Sequence, residues 1–388
     1  MSEIDFHSAV GATITTWHVD TGAFTLKRHS DVVLPAAVQY AWRHPSLPLL
    51  YAAFSDRFSG AGMHHGVATL SIDSRTGALM LAEAPIPLSN RPVHLCVNRA
   101  GDCLLVAYND PSEVSVHRLD THGGIAPVKS CRTLPAGTYA HQVRVAPDDA
   151  TVIVPGRGND STPDRAEDPG VLEFFDLQRD SLRPVGRIAP NGGFGFGPRH
   201  VDFHPNGRWM YASVERQNEL QMFELGVRQV PARATFAVST LASPENWGKE
   251  QLAGAIHVSA DGRFVYLTNR ANGSVLRDGY AVFSGGENNV VAFAINPVTG
   301  EPRPVQHAIV QGYHARTMAL HPDGRMLVAA TLAPMNVVMD GTAAIHRVKA
   351  ALSVFAVAVD GRLRLARTIE IDTGDEWLFW CGMVRRCA

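Results

Sequence analysis

The sequence has no excess of charge of either sign. Its 35 Lys and Arg residues nearly balance its 37 Asp and Glu residues, which leaves a formal net charge of −2 at pH 7. Proteins that bind the phosphate backbone of a nucleic acid need a basic patch or stripe, and no run of five or more basic residues occurs here. The composition therefore argues against a nucleic-acid partner.

Long hydrophobic runs are also missing. No stretch of eighteen consecutive apolar residues occurs, so no segment predicts a membrane-spanning helix. The first residues of the chain do not show the basic region and apolar run of a secretory signal. We expect a cytoplasmic protein that has no membrane partner.

Cysteine is scarce and has no recognisable spacing. The 5 cysteines form no Cys-x-x-Cys pair, which argues against a disulfide framework and a zinc site. His64 and His65 are adjacent on an extended segment, so they point in opposite directions and are poorly placed to bind one metal ion. The glycine-rich segment 192–197 is not followed by a helical pattern, which argues against a phosphate-binding loop. We therefore predict no metal and no cofactor.

What the sequence does contain is an internal repeat. Each copy has a short apolar strand, a turn rich in Pro, Asp, Asn or Gly, and a second apolar strand. Three turns carry Asn-Gly or Asp-Gly, at 206–207, 261–262 and 323–324, and these dipeptides tolerate the positive φ angles of tight hairpins. The copies begin at Ala37, Val93, His141, Arg199, Ala255 and Arg316, with a degraded seventh copy at Trp377.

Further strand-like segments lie between these hairpins, so each period of roughly fifty to sixty residues supplies four antiparallel strands. Radial repetition of four-stranded sheets is the β-propeller architecture. We predict an all-β fold in which residues 1–388 form one domain, a seven-bladed β-propeller of four-stranded antiparallel blades. Segments 12–20 and 24–29 are predicted outer strands of a last blade whose inner strands come from the C-terminus, which pairs otherwise exposed sheet edges.

Ionisable residues recur at the ends of the predicted inner strands. Because these ends gather around the axis of a propeller, side chains at equivalent positions converge on one concave site. Arginine is rarely buried without a partner, so three Arg and one Glu at such positions predict an anion-binding pocket. The candidate residues are His94, Asn109, His141, Arg199, His200, Glu215, His257, Arg270, His314 and Arg316.

One part of the repeat carries a family resemblance. Segment 197–205, followed by 211–215, resembles the signature of the seven-bladed lactonase family, which includes bacterial 6-phosphogluconolactonase and fungal 3-carboxy-cis,cis-muconate lactonizing enzymes. The copies around His141, His257 and Arg316 resemble the corresponding blades, in the right order along almost the whole chain. The resemblance implies a metal-free catalytic cluster, made of His141, Arg199, Glu215 and Arg270.

The chemistry of these residues suits lactone hydrolysis, which needs a base to activate water and cationic donors to stabilise an oxyanion. Glu215 or a neutral His141 could accept the proton of water, while Arg199 and Arg270 could hold the carbonyl oxygen or an acidic group. We expect a lactone hydrolase for an anionic sugar-acid or related carboxylated lactone. The remaining candidates would contact the rest of the substrate, namely His94, Asn109, His200, His257, His314 and Arg316.

Two other functions stay open. A cycloisomerase that closes a muconate-type diacid to a lactone would use the same proton transfer beside a stabilised oxyanion. A non-catalytic propeller that binds proteins would instead present an apolar, aromatic-rich face.

The chain departs from the family pattern in several places. Gly156–Asp160 replaces the Asp-Leu-Gly-x-Asp turn of many members, and Thr331-Leu332 replaces Asn-Gln. Polar insertions follow four hairpins and should crowd toward one face, where they could cap the pocket or join subunits of a homo-oligomer. We interpret the acidic residues of the second insertion as solvated, because their spacing is not that of a calcium loop. The insertions span about residues 55–66, 157–170, 271–288 and 334–349.

Overall fold

The computed structural model describes residues 3–57, 62–126, 133–226, 229–246, 250–338 and 344–386. Strands dominate these residues, and they form seven successive antiparallel sheets that are the blades of a propeller. The predicted fold class is confirmed. Two short 3₁₀ helices occur at Pro190–Gly193 and Pro244–Asn246. No helix among the described residues is long and apolar enough to cross a membrane.

The strands are numbered in chain order and the blades from the N-terminus. Blade 1 has β1 (Ile4–Val10), β2 (Thr13–Asp20), β3 (Thr25–Val33) and β33 (Leu378–Arg385). Blade 2 has β4 (Ala37–Arg43), β5 (Leu49–Ser55), β6 (His65–Ile72) and β7 (Leu79–Leu81), with the short β8 (Ile86–Leu88) also paired to β6. Blade 3 has β9 (Pro92–Val97), β10 (Cys103–Asn109), β11 (Ser112–Arg118) and β12 (Thr133–Pro135).

The remaining blades follow the same pattern. Blade 4 has β13 (Arg144–Val145), β14 (Thr151–Gly156), β15 (Val171–Gln178) and β16 (Ser181–Ile188). Blade 5 has β17 (Pro198–Phe203), β18 (Trp209–Val214), β19 (Glu219–Glu224) and β20 (Phe236–Ser239). Blade 6 has β21 (Gln251–Val258), β22 (Phe264–Ala271), β25 (Asn288–Ile295) and β26 (Pro302–Ile309). Blade 7 has β27 (Ala315–Leu320), β28 (Met326–Thr331), β31 (Ala350–Val357) and β32 (Leu363–Ile371).

Blade 1 closes the ring by joining the two ends of the chain. Strand β33 is its innermost strand and pairs antiparallel with β1, from Ile4 opposite Arg385 to Val10 opposite Leu378. The predicted pairing of terminal strands is therefore confirmed, but the C-terminus supplies one inner strand rather than two. Strand β1 went unrecognised because its alternation is weak, since the polar His7 and Ser8 are as buried as their apolar neighbours.

The hydrophobic core lies between neighbouring blades. One buried cluster, for example, joins Trp209 and Met222 of blade 5 to Val265 and Phe293 of blade 6. Because each blade packs its two faces on different neighbours, its strands are apolar on both sides and read as short continuous apolar runs. Strand β22 shows this pattern in its first four residues, 264–267, which are all apolar and buried.

Hydrogen bonds from tyrosine hydroxyls join successive blades at a repeated position. Tyr211 on β18 is fully buried and donates its hydroxyl to the carbonyl of Gly300, at 2.7 Å, in the β25–β26 turn of the next blade. Gly300 has a φ of +75°, and a Cβ there would lie 2.6 Å from the Trp209 ring, so only glycine fits. The equivalent bonds run from Tyr51 to Gly123 and from Tyr266 to Gly361.

Two of the four insertions form an additional sheet. Its strands are β23 (Ser274–Arg277) and β24 (Tyr280–Phe283), which leave blade 6, and β29 (Met335–Val338) and β30 (Ile345–Val348), which leave blade 7. The two hairpins meet where Val282 pairs parallel with Asn336, and the Asn336 amide donates to the carbonyl of Ala281 at 3.2 Å. The insertions of two successive blades therefore pack on each other; the expected crowding of all four insertions toward one face stays a prediction.

Candidate active site

Each blade has one β-bulge near the start of its innermost strand. In blade 5 the strand pairing skips Arg199, and in blade 7 it skips Arg316. A bulge re-aims the side chain of the extra residue, which explains why bulges are frequent beside active sites. The residues at the equivalent position of blades 1, 2, 3, 4 and 6 are Phe379, Gln39, Val93, His141 and Gly254.

A second set of equivalent positions follows the second strand of each blade. The backbone N–H of Glu215 donates to Gly197 at 2.7 Å, and that of Arg157 donates to Tyr139 at 3.0 Å in the same register of blade 4. Arg270 occupies this position in blade 6, where it pairs with Leu252. Three consecutive blades therefore present Arg157, Glu215 and Arg270 at one level of the propeller.

The carboxylate of Glu215 is the centre of the resulting cluster. Glu215 is only 3% exposed, and its Oε1 accepts a hydrogen bond from Nε of Arg157 at 2.6 Å. Its Oε2 accepts from Nη2 of Arg270 and lies 2.9 Å from Nε of Arg199, an ion pair that is not aligned as a hydrogen bond. Three guanidinium groups thus surround one carboxylate, which leaves a net positive charge for an anion.

The charges of the cluster keep Glu215 ionised. Burial by itself would raise the pKa of Glu215, but Arg270, Arg157 and Arg199 hold that pKa well below its ordinary value. A carboxylate paired with three cations has little tendency to take a proton. The arrangement therefore suits Glu215 to orienting the arginines better than to acting as a base.

Two histidines accept hydrogen bonds from these arginines. Nη1 of Arg199 lies 3.0 Å from Nδ1 of His200, and Nη1 of Arg270 lies 2.9 Å from Nε2 of His314. Because a guanidinium group can only donate, both ring nitrogens must be unprotonated acceptors. Burial and the neighbouring arginines hold the pKa of both histidines well below the ordinary value, which agrees with neutral rings.

His141 is a neutral imidazole beside the arginine cluster. Burial, followed by Arg199, holds its pKa well below the ordinary value, although Glu215 acts in the opposite direction. Its ring is therefore neutral at pH 7, and its buried Nδ1 has no hydrogen-bond partner among the residues the structure describes. The ring centre lies 5.1 Å from that of His200, beside the arginine cluster. A neutral imidazole with a free ring nitrogen can accept a proton from water.

Two further arginines, Arg316 and Arg91, add positive charge at or next to other bulge positions. The guanidinium carbon of Arg316 lies 4.1 Å from the centre of the Phe379 ring, and no carboxylate of the described chain pairs with it. Burial, then Arg270, lowers the pKa of Arg316 to about 9. Arg91 is held by Gln39, whose Oε1 accepts from Nε at 3.0 Å and from Nη2 at 2.7 Å.

Most of the predicted site residues lie in or next to this cluster. His141, Arg199, Glu215 and Arg270 meet as described, and His200 and His314 contact the arginines directly. His94 is fully buried one level below, with its ring 3.8 Å from Tyr40 and 6.0 Å from His200. Asn109 occupies the position of Glu215 in blade 3, where its buried Oδ1 has no described partner.

His257 is not brought to the cluster. It lies three residues beyond the bulge of β21, about 10 Å further along the strand at the usual rise per residue. Its Nε2 donates to the carbonyl of Met318 at 2.9 Å, and its Nδ1 lies 3.9 Å from Asp202. Together with Trp42 and Trp380 it lines a cavity of about 370 Å³ whose lining includes none of the arginines that contact Glu215. The expected contact of His257 with the substrate is therefore not supported by its position.

Arg157, Arg91, Gln39 and Phe379 were missed by the sequence reasoning. The repeat did contain a signal for Arg157, because it follows β14 as Glu215 follows β18. Gln39 and Phe379 occupy the same bulge position as Arg199, which an alignment of the seven copies would have placed at the axis. Polar residue types alone could not identify them, since the register of the hairpins was unknown.

The described residues include no group of three or more His, Cys, Asp and Glu side chains that could hold a metal ion. Cys96, Cys103 and Cys381 are buried and unpaired, while Cys131 and Cys387 lie outside the described residues.

Fold and site together define a seven-bladed β-propeller with an arginine-rich cluster at the bulges of its inner strands. Residues 5–340 match the family described as Lactonase, 7-bladed beta-propeller. The chain belongs to this family.

Named relatives come from several bacteria. The chain is 25% identical to the 6-phosphogluconolactonase of Bacillus subtilis (strain 168) over 284 residues, which cover 71% of this chain and 72% of the relative. It is 27% identical to the 6-phosphogluconolactonase of Yersinia pestis (strain Pestoides F) over 261 residues, which cover 66% of this chain and 70% of the relative. The periplasmic gluconolactonase of Pseudomonas aeruginosa has the same fold, with a TM-score of 0.74 and 20% identity over 95% of this chain and 97% of that chain. The enzyme class expected from the sequence, a lactone hydrolase, is that of these named relatives.

Proposed function

We propose that this protein hydrolyses the lactone of an anionic sugar acid, with 6-phosphogluconolactone as the first substrate to test. The observation that carries the proposal is the cluster in which Arg157, Arg199 and Arg270 surround Glu215 beside the neutral ring of His141. The names of the curated relatives support the choice of substrate class.

The reaction needs one water molecule and no other reactant. His141 accepts a proton from water as the water oxygen bonds to the lactone carbonyl carbon. Arg199 and Arg270 stabilise the negative charge that develops on the carbonyl oxygen. The tetrahedral intermediate then collapses, the bond from that carbon to the ring oxygen breaks, and His141 returns the proton to the leaving oxygen. The product is the open hydroxy acid.

Glu215 keeps the two arginines in place during these steps. Its carboxylate contacts both Arg199 and Arg270, so both guanidinium groups are oriented before the substrate binds. Preorganised donors stabilise an oxyanion without having to reorganise during the reaction. Arg316, which has no carboxylate partner in the described chain, is the residue we assign to an acidic substituent of the substrate.

The experiment measures acid release at constant pH from 6-phosphogluconolactone, gluconolactone and a muconate-type lactone. We expect release from the phosphorylated lactone above the spontaneous rate, and a decrease of about a hundredfold in Arg199→Ala. The variant also serves as the control for spontaneous hydrolysis. If no lactone releases acid while a muconate-type diacid is cyclised, the protein is a cycloisomerase and the proposed direction of the reaction is wrong.

We place the reaction in the cytoplasm. The supporting observation is that Cys96, Cys103 and Cys381 are buried and unpaired, and free thiols are typical of reducing compartments. Fractionation of the source cells with immunoblotting tests this assignment. Recovery in the periplasm, the compartment of the Pseudomonas aeruginosa gluconolactonase, would contradict it.

A further inference from the structure

The inserted segment 157–170 begins inside the active site and folds back on itself outside it. Asn159 and Asp168 pair with each other through backbone hydrogen bonds in both directions, of 3.2 and 3.0 Å. The side-chain amide of Asn159 also donates to the Asp168 carboxylate at 3.1 Å. The segment is thus a small hairpin whose first residue, Arg157, contacts Glu215.

Arg216 fastens this hairpin to blade 5. It directly follows Glu215, in the turn between β18 and β19. Glu215 contacts the arginines of the site, while the nearly buried Arg216 side chain contacts the hairpin, with its Nε 2.6 Å from Asp160 and its Nη2 donating to Glu167. The Asp160 side chain is 62% exposed, which agrees with its interpretation as a solvated residue, whereas the Glu167 side chain is only 25% exposed.

Glu167 also contacts the glycine-rich segment 192–197. Its Oε1 accepts from the backbone N–H of Gly195 at 2.7 Å, and the backbone N–H of Gly170 donates to Gly193 at 2.9 Å. These bonds hold the C-terminal end of the hairpin against the approach to β17. The hairpin is therefore held at several points beside Arg199, which lies on that strand.

The donors of Arg157 are directed at groups of the protein. Nε donates to Glu215 at 2.6 Å, Nη1 donates to the carbonyl of Gly158 at 3.2 Å, and Nη2 lies 3.7 Å from Asp160. The side chain is 17% exposed and its guanidinium carbon lies 5.9 Å from the Tyr139 ring centre. Arg157 is thus placed to act on Glu215 and not on the substrate.

We propose that Arg157 is a positioning residue of this active site, delivered to Glu215 by the hairpin 157–170 and held there through Arg216. The inference rests on the proposed function, because it assigns a role in the same reaction. It concerns a feature of this chain, since Arg157 lies in the turn where the sequence departs from the family pattern.

The physical role of Arg157 is to occupy Oε1 of Glu215. With Oε1 held by Arg157, Oε2 stays directed at Arg199 and Arg270. Without Arg157 the carboxylate could rotate and share its oxygens differently between the other two arginines. The donors for the oxyanion would then lose their fixed orientation, and small errors of position at a reacting centre lower the rate strongly.

The first test compares four variants on the wild-type substrate: Arg157→Gln, Arg157→Lys, Arg216→Gln and the double variant Arg157→Gln/Arg216→Gln. We expect Arg157→Gln to lower kcat about tenfold or more with a smaller change in KM, and Arg157→Lys to restore part of that loss. Arg216→Gln should lower kcat by less. Because Arg216 acts through Arg157, the double variant should match Arg157→Gln alone. Multiplicative losses in the double variant would overturn the role assigned to Arg216.

The second test is the pH dependence of kcat/KM. The charged and titratable groups that face Glu215 are Arg157, Arg199, Arg270 and His141. A protonated Glu215 could no longer orient the arginines, so its titration contributes to the loss of activity at acid pH together with that of the base His141. Removing Arg157 takes away one cation that lowers the pKa of Glu215, so the acid limb of the pH profile should move to higher pH in Arg157→Gln. If Arg157 had only a structural role, its replacement would lower activity without shifting the acid limb of the pH profile. An unshifted acid limb in Arg157→Gln would therefore overturn the proposal.

The matched control is Arg183→Gln. Arg183 pairs with Asp176 at 3.0 Å in blade 4, is exposed, and lies outside the hairpin and the cluster. Its activity should equal that of the wild type, and melting temperatures of all variants show that they are folded. If the wild type hydrolyses the lactone and the kcat of Arg157→Gln is within twofold of the wild-type value, this inference is overturned but the proposed function is not. Absence of hydrolysis by the wild type would overturn the proposed function and this inference with it.

Discussion

Arg386 and Asp5, 381 residues apart in the sequence, form a two-pronged ion pair. Nε of Arg386 lies 2.6 Å from Oδ2 of Asp5, and Nη2 lies 2.8 Å from Oδ1. Both side chains are buried, and Arg386 also donates to the carbonyl of Arg75 in blade 2 at 2.6 Å. The pair fastens the end of β33 to the start of β1, where the propeller ring closes.

Removal of this pair should weaken the whole fold, because closure holds every blade in the ring. We expect Arg386→Gln to lower the free energy of unfolding by about 3 kcal/mol, since it leaves the Asp5 carboxylate buried without its main partner. Urea unfolding at pH 7 measures the change. The control is Arg28→Gln, whose exposed pair with Asp31 should contribute less than about 1 kcal/mol. A chain that ends at residue 370 loses β33 and should not fold, so full stability after that truncation would contradict closure by β33.

A second stability prediction concerns the bonds between blades. Tyr211→Phe removes the hydroxyl that donates to Gly300 and leaves that buried carbonyl without its partner. We expect a loss of about 1–3 kcal/mol in the free energy of unfolding. Tyr280→Phe is the control, because Tyr280 is 58% exposed and should tolerate the change. Equal stability of the two variants would show that the repeated tyrosine bond contributes nothing.

The roles of His141 and Glu215 can be separated by chemical rescue. We expect His141→Ala and Glu215→Gln each to lower kcat about a hundredfold or more. Added imidazole should restore part of the turnover of His141→Ala, because it can replace the missing base. It should not restore Glu215→Gln, whose defect lies in the orientation of the arginines. Rescue of neither variant, with a larger loss in Glu215→Gln, would favour Glu215 as the base.

Stability should also depend on pH through buried neutral histidines. Burial lowers the pKa of His7, whose side chain is fully buried, to about 4. In the unfolded chain the pKa is about 6.5, so between these values the unfolded state binds a proton that the folded state does not. The contribution of neutral His7 to the free energy of unfolding is therefore complete above about pH 6.5. It falls by about 3 kcal/mol as the pH drops toward 4.

The test is urea unfolding of the wild type and His7→Gln at pH 7, 6 and 5. The wild type should lose stability over this range, and the variant should lose less. Asp5 does not interfere, because its lowered pKa affects stability only below about pH 4. Parallel losses in the two proteins would exclude His7 as a cause.

The blade repeat could be predicted from the sequence because the residue patterns that mark its strands and turns are local. Apolar runs mark strands, and the Asn-Gly and Asp-Gly pairs mark the turns between them. The pairing of the two chain ends also followed from the incomplete first and last copies. The additional sheet from two insertions did not follow, because a parallel contact between Val282 and Asn336 depends on how two separate loops meet in space.

Part of the candidate site could be predicted for the same reason, and part could not. Arg199, Glu215 and Arg270 stand at recognisable ends of repeat strands, so their meeting near the axis was expected. His257 also lies on an inner strand, but three residues beyond the bulge. The sequence alone does not show how far along the propeller axis a residue of an inner strand lies. Arg157 is not predicted in this way, because it is the first residue of an insertion that interrupts the repeat.

The sequence by itself determined most strands of the blades, their turns and the number of blades, since each depends on residues close together in the chain. The tertiary structure decided which side chains share a level of the axis and which carboxylate is paired with which cations. Those relations are set by seven bulges and by packing between blades, where residues from distant segments come within hydrogen-bond distance. The Glu215 cluster combines residues of blades 4, 5 and 6, so it forms only when these blades pack together.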